Sequence, residues 1–366
     1  MKIIVNTRLV VEKFTGIQNY IESLYGEILR IDKKNSYKFV QSSPNKKIGD
    51  TEIIKTPRGT FFNALFDCFL MNRILRKNNN RNIIFHGTSF VLPFYKLKNV
   101  KYVLTIHDLN FKVLPQKYFT FFNFYYGIFL KRSLINADKI IAISECTKRD
   151  IINFYNVPAD KIIVTYLAGN VFFDVCDKKV ERIYGEKYFL AVTTHPIRKN
   201  TMSVIKALAK SNILRKYKFV ITGSISHEQK QEIFRLAKKL KVHNNIRLMG
   251  HVSREDLLSL YNHAEFFVYP SFYEGFGLPV LEAMMAKCPV IVSNVSCLPE
   301  VVIKNYQYLV DPYSIDDIRK KMEDMAMLPR SERKKLVLKN YVFSKNFSWE
   351  KCAKKTISIF KSLENK

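Results

Sequence analysis

The stretch Glu274-Gly275-Phe276-Gly277-Leu278-Pro279-Val280-Leu281-Glu282 decides the fold. The apolar run Phe266-Phe267-Val268-Tyr269 precedes it, and the good helix-forming sequence Ala283-Met284-Met285-Ala286 follows. A strand, a glycine turn and a helix start are therefore written in order. Pro279 suits the first turn of a helix, where a missing N–H leaves no bond unmade. Gly275 and Gly277 let backbone approach a ligand closely. The helix start offers free N–H groups and a positive dipole end to an anion such as a phosphate. Glu274 and Glu282 bracket the turn with seven residues between them. Both are predicted to face one crevice and to accept hydrogen bonds from sugar hydroxyls. A plainer reading has them cap and solvate the helix.

Strand-like apolar runs alternate with helical stretches along the chain. Residues 2–5, 37–41, 83–86, 102–106, 139–144 and 162–166 read as strands, with helices near 17–30, 61–77, 116–136 and 145–156. Ile3-Ile4-Val5 and Ile140-Ile141-Ala142-Ile143 are apolar throughout, as strands buried on both faces of a parallel sheet are. The charged stretch 174–186 breaks the alternation and reads as an interdomain linker. A second set follows, with strands at 188–192, 218–222, 246–249, 266–269, 290–292 and 308–310. Its helices fall near 199–210, 227–241, 253–262, 278–287 and 314–326, with Ser253 as an N-cap. The pattern predicts an α/β chain of two Rossmann-like, doubly wound parallel-sheet domains facing across a cleft. They are expected at 1–173 and 187–345, with a terminal helix in 346–366 returning toward the first. Ligands of such sheets bind outside the carboxyl ends of the strands.

The 366 residues, 47% hydrophobic and 25% charged, suit a folded protein of two medium domains. No uncharged apolar run reaches the roughly 18 residues of a membrane span. The six cysteines form no CxxC pair, so unpaired thiols in a reducing, cytoplasmic setting are expected. The seven histidines show no HxH or HExxH spacing, and no metal site is expected. Lysine and arginine outnumber aspartate and glutamate by 60 to 32, a net charge of +28 that attracts polyanions. The excess is spread along the chain without a compact basic tail, which argues against nucleic acid as a partner. The richness in Lys, Asn, Ile and Phe also fits genomic base bias. The absence of a Gly-x-x-x-x-Gly-Lys-Ser/Thr loop argues against a P-loop ATPase. The absence of Gly-x-Gly-x-x-Gly after the first strand argues against a nicotinamide dehydrogenase.

Other constellations sit at strand ends. Thr193-Thr194-His195-Pro196-Ile197-Arg198-Lys199-Asn200 follows the first strand of the second set. Arg198 and Lys199 there suit a diphosphate; the plainer reading is a solvated basic helix start. His107-Asp108 closes the strand 102–106 and points at the crevice. The alternatives are a histidine bonded to backbone, and an aspartate that makes a turn or partners His107. Gly16 lies in the loop Thr15-Gly16-Ile17-Gln18-Asn19-Tyr20, and Arg8 nearby is a looser candidate for an anionic contact. His86-Gly87-Thr88-Ser89 is assigned to the acceptor side, and Ser144 to a helix cap.

The string Tyr273-Glu274-Gly275-Phe276-Gly277-Leu278-Pro279-Val280-Leu281-Glu282-Ala283-Met284 resembles the two-glutamate signature of retaining glycosyltransferases of family 4, which have the two-lobed GT-B fold. Thr105-Ile106-His107-Asp108-Leu109, the Gly16 loop, Ser144–Asp150, Leu298-Pro299-Glu300-Val301 and the Arg198-Lys199-Asn200 segment are similar to the same family in the same order. Thr193 stands where a glycine is usual, and Pro196 comes one position early. The resemblance implies metal-independent transfer of a hexose, mannose from GDP-mannose first, to a glycan or lipid-linked acceptor of O-antigen, capsule or related polysaccharide. The missing Asp-x-Asp fits, since metal-dependent GT-A enzymes use that pair. No cofactor is implied beyond the nucleotide-sugar substrate. Arg198, Lys199 and the amides of Gly275, Phe276, Gly277 and Leu278 would receive the departing diphosphate. Glu274 would hold donor sugar hydroxyls, Glu282 the ribose, and His107 the donor sugar, with Gly16 close to the diphosphate. Glu300 is open between a place near the nucleotide and a structural one. Loss of Glu274 to Ala is expected to reduce turnover strongly and leave the fold intact. The aromatic, amphipathic segment 111–132 fits peripheral contact with the anionic inner membrane face; an ordinary core helix is the alternative. The competing functions are a GT-B sugar-nucleotide epimerase and a basic nucleic-acid-binding protein.

Overall fold

The computed structural model describes residues 1–8, 16–41, 49–53, 68–69, 71–78, 83–114, 121–174 and 180–364. Parts of the predicted helices 61–77 and 116–136 and of the linker 174–186, together with Thr15 and Cys176, lie outside them. The chain forms two compact units, Met1–Leu167 with Ser348–Lys366, and Ala168–Phe347. It passes from one to the other twice, after Leu167 and after Phe347. Asp174, expected in that linker, is anchored in the second unit: it accepts a 2.8 Å hydrogen bond from the Tyr341 hydroxyl and pairs with Lys345.

Among the described residues, the first unit holds β1 (Lys2–Asn6), β2 (Ser36–Gln41), β3 (Asp50–Ile53), β4 (Ile83–Gly87), β5 (Val100–Ile106), β6 (Lys139–Ala142) and β7 (Ile162–Val164). They form one parallel sheet in the order β3-β2-β1-β4-β5-β6-β7. Its helices include α1 (Gly16–Ile31), α2 (Met71–Lys77), α3 (Phe121–Asn136) and α4 (Glu145–Tyr155). Ser144 caps α4, its side chain accepting from the Thr147 N–H at 3.0 Å. The edge strand β3 escaped the sequence reading because Asp50-Thr51-Glu52-Ile53 carries one apolar side chain and pairs with β2 alone. The segment 111–132, read as amphipathic, lies partly outside the described residues; within α3, Leu130 is buried and Ile128 exposed.

The second unit repeats this plan without repeating the sequence. Strands β8 (Tyr188–Val192), β9 (Lys218–Thr222), β10 (Ile246–Gly250), β11 (Phe267–Tyr269), β12 (Val290–Ser293) and β13 (Leu309–Val310) form a parallel sheet in the order β10-β9-β8-β11-β12-β13. Phe189 stacks between Phe219 at 4.8 Å and Phe266 at 5.2 Å, fixing the middle of this sheet. The helices are α5 (Thr201–Ala209), α6 (His227–Lys239), α7 (Arg254–His263), α8 (Leu278–Met285), α9 (Ile315–Met327) and α10 (Arg330–Ser344). Ser253 caps α7 through the Asp256 N–H. The sequence reading missed α10, whose basic, polar sequence buries only Leu336, Asn340, Tyr341 and Ser344. The last helix, α11 (Trp349–Lys361), groups with the first unit and packs on α1, with the Trp349 ring 6.4 Å from Tyr20. No described helix is long and apolar enough to cross a membrane.

In both sheets the strand order reverses at an internal pair: β1 beside β4, and β8 beside β11. The connections leave such a pair toward opposite faces, which opens a crevice at the carboxyl ends of the strands. In the second unit the crevice floor depends on Gly223. Its φ is +123°, and a Cβ there would stand 2.0 Å from the Thr193 carbonyl oxygen. Gly223 thus lets the chain after β9 approach the Thr193 backbone closely. Gly223→Ala combines a left-handed backbone with a backbone clash and should destabilise the protein by about 3 kcal/mol or more. Thermal unfolding of the variant checks this; an unchanged melting temperature would contradict it.

Candidate active site

The β8/β11 switch point gathers three charged side chains. After β8 the chain turns through 193–200, and Asn200, left-handed at φ 58°, begins α5. The Asn200 side-chain amide donates to the Pro312 carbonyl at 2.6 Å and fixes the turn. After β11, the Phe272 N–H donates to the Arg198 carbonyl at 3.0 Å and joins the two loops. Arg198 Nη1 lies 2.7 Å from Glu274 Oε2 and donates to the Tyr273 carbonyl at 2.9 Å. Lys199 Nζ lies 2.7 Å from Glu274 Oε1, donates to the Tyr269 hydroxyl, and stands 4.3 Å above the Tyr269 ring. The exposures of these side chains are only 13% for Arg198, 10% for Lys199 and 8% for Glu274.

This geometry sets the charges. Burial alone would raise the Glu274 pKa, but Arg198 and Lys199 outweigh it and hold the carboxylate at about 2. Burial, with Arg198 beside it, pushes Lys199 down to about 8 against the pull of Glu274. Both cations thus share one carboxylate, and the cluster keeps a net positive charge. Taking one partner from a buried pair leaves the other charge uncompensated and typically costs about 3–5 kcal/mol. An untouched fold in Glu274→Ala therefore does not follow from this geometry.

The glycine turn and α8 complete the site. Gly277 has φ +102°, and a Cβ there would meet Leu298 Cδ2 at 2.7 Å, so glycine is required on backbone and packing grounds. Gly275 is buried in the turn and Leu278 opens the helix. The Phe276 side chain is buried edge-on against Phe347 at 5.7 Å; only its backbone remains for a donor. The first N–H groups of α8 lack intrahelical partners, as at any helix start. Ser296 and Cys297 reach the Glu274 backbone from the loop after β12. These two, with Tyr269 and Gly223, were missed in the sequence. A serine 22 residues from the glutamate it holds has no local signature, and only the polar cluster Ser293–Ser296 at a strand's carboxyl end hinted at it.

In the first unit the structure separates the predicted residues. His107 is buried; its Nε2 is 2.9 Å from the Thr88 carbonyl and its ring meets Tyr20 edge-on at 4.9 Å. Burial pushes its pKa down to about 4, so it is neutral at physiological pH. Asp108 makes a turn, accepting from the Asn110 N–H at 3.2 Å. The assignment of His86 to the acceptor side is corrected. Its ring is fully buried, with Nδ1 bonded to the Tyr25 hydroxyl and Nε2 2.8 Å from Thr105 Oγ1, which in turn meets the Tyr20 hydroxyl at 3.0 Å. Burial, and then His107, push it down to about 3. Arg8 is also withdrawn from the surface, at 1% exposure. Gly16 opens α1 with free space where a Cβ would stand.

The second glutamate differs from the first. Glu282 is half-buried in α8, and burial pushes it up to about 8 against a weaker pull from Arg254. Between the unfolded value near 4.5 and about 8, the folded state holds a proton that the unfolded chain has lost. Stability from this group is therefore present below pH 4.5 and lost as pH rises through 8. Glu282→Gln cannot titrate. Its melting-temperature advantage over the wild type should grow from pH 5 to pH 8 in ligand-free protein and then level off. A difference independent of pH would contradict the raised pKa.

Comparison with known proteins agrees with this arrangement. The pattern for "Glycosyl transferases group 1" matches residues 176–343, and that for "Glycosyltransferase Family 4" matches residues 42–168. The chain is 32% identical over 292 residues to O-antigen chain mannosyltransferase B of Escherichia coli, covering 77% of this chain and 75% of that protein. It is 30% identical over 238 residues to the serotype-specific mannosyltransferase WbdA of Escherichia coli, covering 62% of this chain but only 29% of that longer protein. Among solved structures, Anabaena Alr3699/HepE in complex with UDP and glucose superposes with a TM-score of 0.73 at 14% identity, over 99% of this chain and all of that one. The switch-point sites lie on a GT-B chain, and this protein belongs to glycosyltransferase family 4, the group 1 glycosyltransferases.

Proposed function

We propose that this glycosyltransferase moves a hexose, with retention of configuration and without a metal, from a nucleotide-sugar to a glycan or lipid-linked acceptor in surface polysaccharide synthesis. The observation that carries the reading is the cation pair Arg198–Lys199, held out of bulk water by Glu274 at the β8/β11 switch point. Mannose is the first choice of sugar and GDP-mannose of donor, supported by the mannosyltransferase relatives. The UDP in the HepE complex keeps uridine donors as the second choice.

The donor diphosphate would replace the Glu274 carboxylate as counter-charge to Arg198 and Lys199, with the first amides of α8 adding to its field. The Glu274 oxygens would then accept from donor sugar hydroxyls, and Glu282 would meet the ribose. As the bond from the anomeric carbon to the diphosphate breaks, charge grows on the departing oxygen and the two cations stabilise it. The acceptor oxygen forms its new bond on the same face and gives its proton to that departing phosphate oxygen. With the Glu274 oxygens engaged by the sugar hydroxyls, the reading is front-face displacement without a covalent glycosyl–enzyme. His107, neutral at physiological pH, would orient the sugar by hydrogen bonding. A cytoplasmic enzyme in peripheral contact with an anionic membrane completes the proposal, supported by the net charge of +28.

The test is a thermal-shift panel with GDP, UDP, dTDP and their common sugar conjugates at matched ionic strength. A ligand that binds only the folded protein raises its melting temperature by mass action. The expected result is a selective shift with guanosine ligands that is lost in Glu282→Ala. Equal shifts with every polyanion would instead point to charge-driven binding and remove the reading.

A further inference from the structure

Glu274 is held at both ends. Its carboxylate meets Arg198 and Lys199, and its backbone is gripped by the loop that follows β12. Ser296 Oγ accepts from the Glu274 N–H at 3.0 Å and donates to the Glu274 carbonyl at 2.5 Å. One hydroxyl thus clamps both backbone polar groups of one residue. The Cys297 thiol, fully buried, donates to the same carbonyl at 3.2 Å. Ser293 Oγ donates to the Ser271 carbonyl at 2.6 Å, tying the start of the same loop pair. Leu298 and Val301 then fill the space beside Gly277.

The backbone at Ser296 is unusual. Its φ is +61°, in the left-handed region, where glycine and asparagine are the residues at ease. A glycine would relax that backbone and lose the hydroxyl. The chain instead keeps a serine in a strained conformation, at the one spot where a short hydroxyl reaches both polar groups of the Glu274 backbone.

We propose that Ser296 is a positioning residue for Glu274. Its clamp sets where the carboxylate stands between the cation pair and the donor sugar. This rests on the role of Glu274 given above. In this role Ser296 acts through the Glu274 backbone it holds.

The experiment separates position from stability. Turnover is measured as donor hydrolysis, in which water takes the sugar and nucleoside diphosphate is released, with GDP-mannose, UDP-glucose and dTDP-glucose each titrated separately, beside thermal unfolding, for the wild type, Glu274→Gln, Ser296→Gly and Ser296→Thr. Ser296→Gly should melt near the wild type, since relief of the backbone offsets the lost clamp. Its kcat should fall about 10- to 100-fold, as small misplacements of a site group do, with KM changed by less than about threefold. Ser296→Thr keeps the hydroxyl but puts a β-branched side chain at positive φ. It should melt lower and keep most of the kcat. A merely structural serine would show the reverse order, with activity following melting temperature. Ser296→Gly with wild-type kcat, or Ser296→Thr as slow as Ser296→Gly, overturns the proposal. No release by the wild type, or full release by Glu274→Gln, overturns the reading of the site and takes the role of Ser296 with it.

Discussion

Two adjacent cations, Arg198 and Lys199, are held mostly out of water by a single carboxylate, Glu274. Left without a counter-charge, the pair would repel itself, and Lys199 would lose its proton or the fold would be destabilised. Much of the second unit's local structure meets this requirement. Tyr269 places its hydroxyl and ring against Lys199, Tyr273 offers its carbonyl to Arg198, and Asn200 fixes the turn that carries both. Under the proposed function a diphosphate would take this place: it would bring more negative charge than Glu274 and leave the carboxylate free for neutral hydroxyls.

The topology makes the cluster possible. Arg198 and Lys199 follow β8 and Glu274 follows β11, which are neighbours in the sheet although far apart in sequence. Close approach of the loops demands glycine at two places, Gly223 against the Thr193 carbonyl and Gly277 against Leu298. The two glutamates of the motif sit in opposite electrostatic settings. Glu274 is held ionised by cations, and Glu282 is pushed toward the neutral acid by burial. A pair of like residues split in this way is suited to different tasks: one to carry fixed charge, the other to exchange hydrogen bonds with hydroxyls.

What could be read from sequence was what is local. The apolar runs located twelve strands, because strands buried on both faces are apolar throughout. Edge strand β3 and the surface helix α10 lack that pattern and were missed. The Glu274–Glu282 turn carried its own chemistry and named its residues. The ion pairs of Arg198 and Lys199 with Glu274, and the clamp from Ser296, depend on which strands become neighbours, which periodicity does not state. His86 shows the converse. It closes a strand, as His107 does, and read as a site residue. Tyr25, 61 residues earlier, caps its ring and makes it part of the core. His107 is buried too, so neither a strand end nor burial separates the two; both ring nitrogens of His86 are bonded to side chains, whereas His107 Nε2 meets the Thr88 carbonyl.

The most direct measurement is calorimetric titration of GDP into the wild type and into Arg198→Ala/Lys199→Ala. Binding to the wild type should weaken as salt is raised, and the double variant should bind at least about tenfold more weakly, the loss expected for removing charge-assisted contacts to a diphosphate. Equal affinity in the two proteins would mean that the diphosphate lies elsewhere and that the switch-point cluster serves the fold alone.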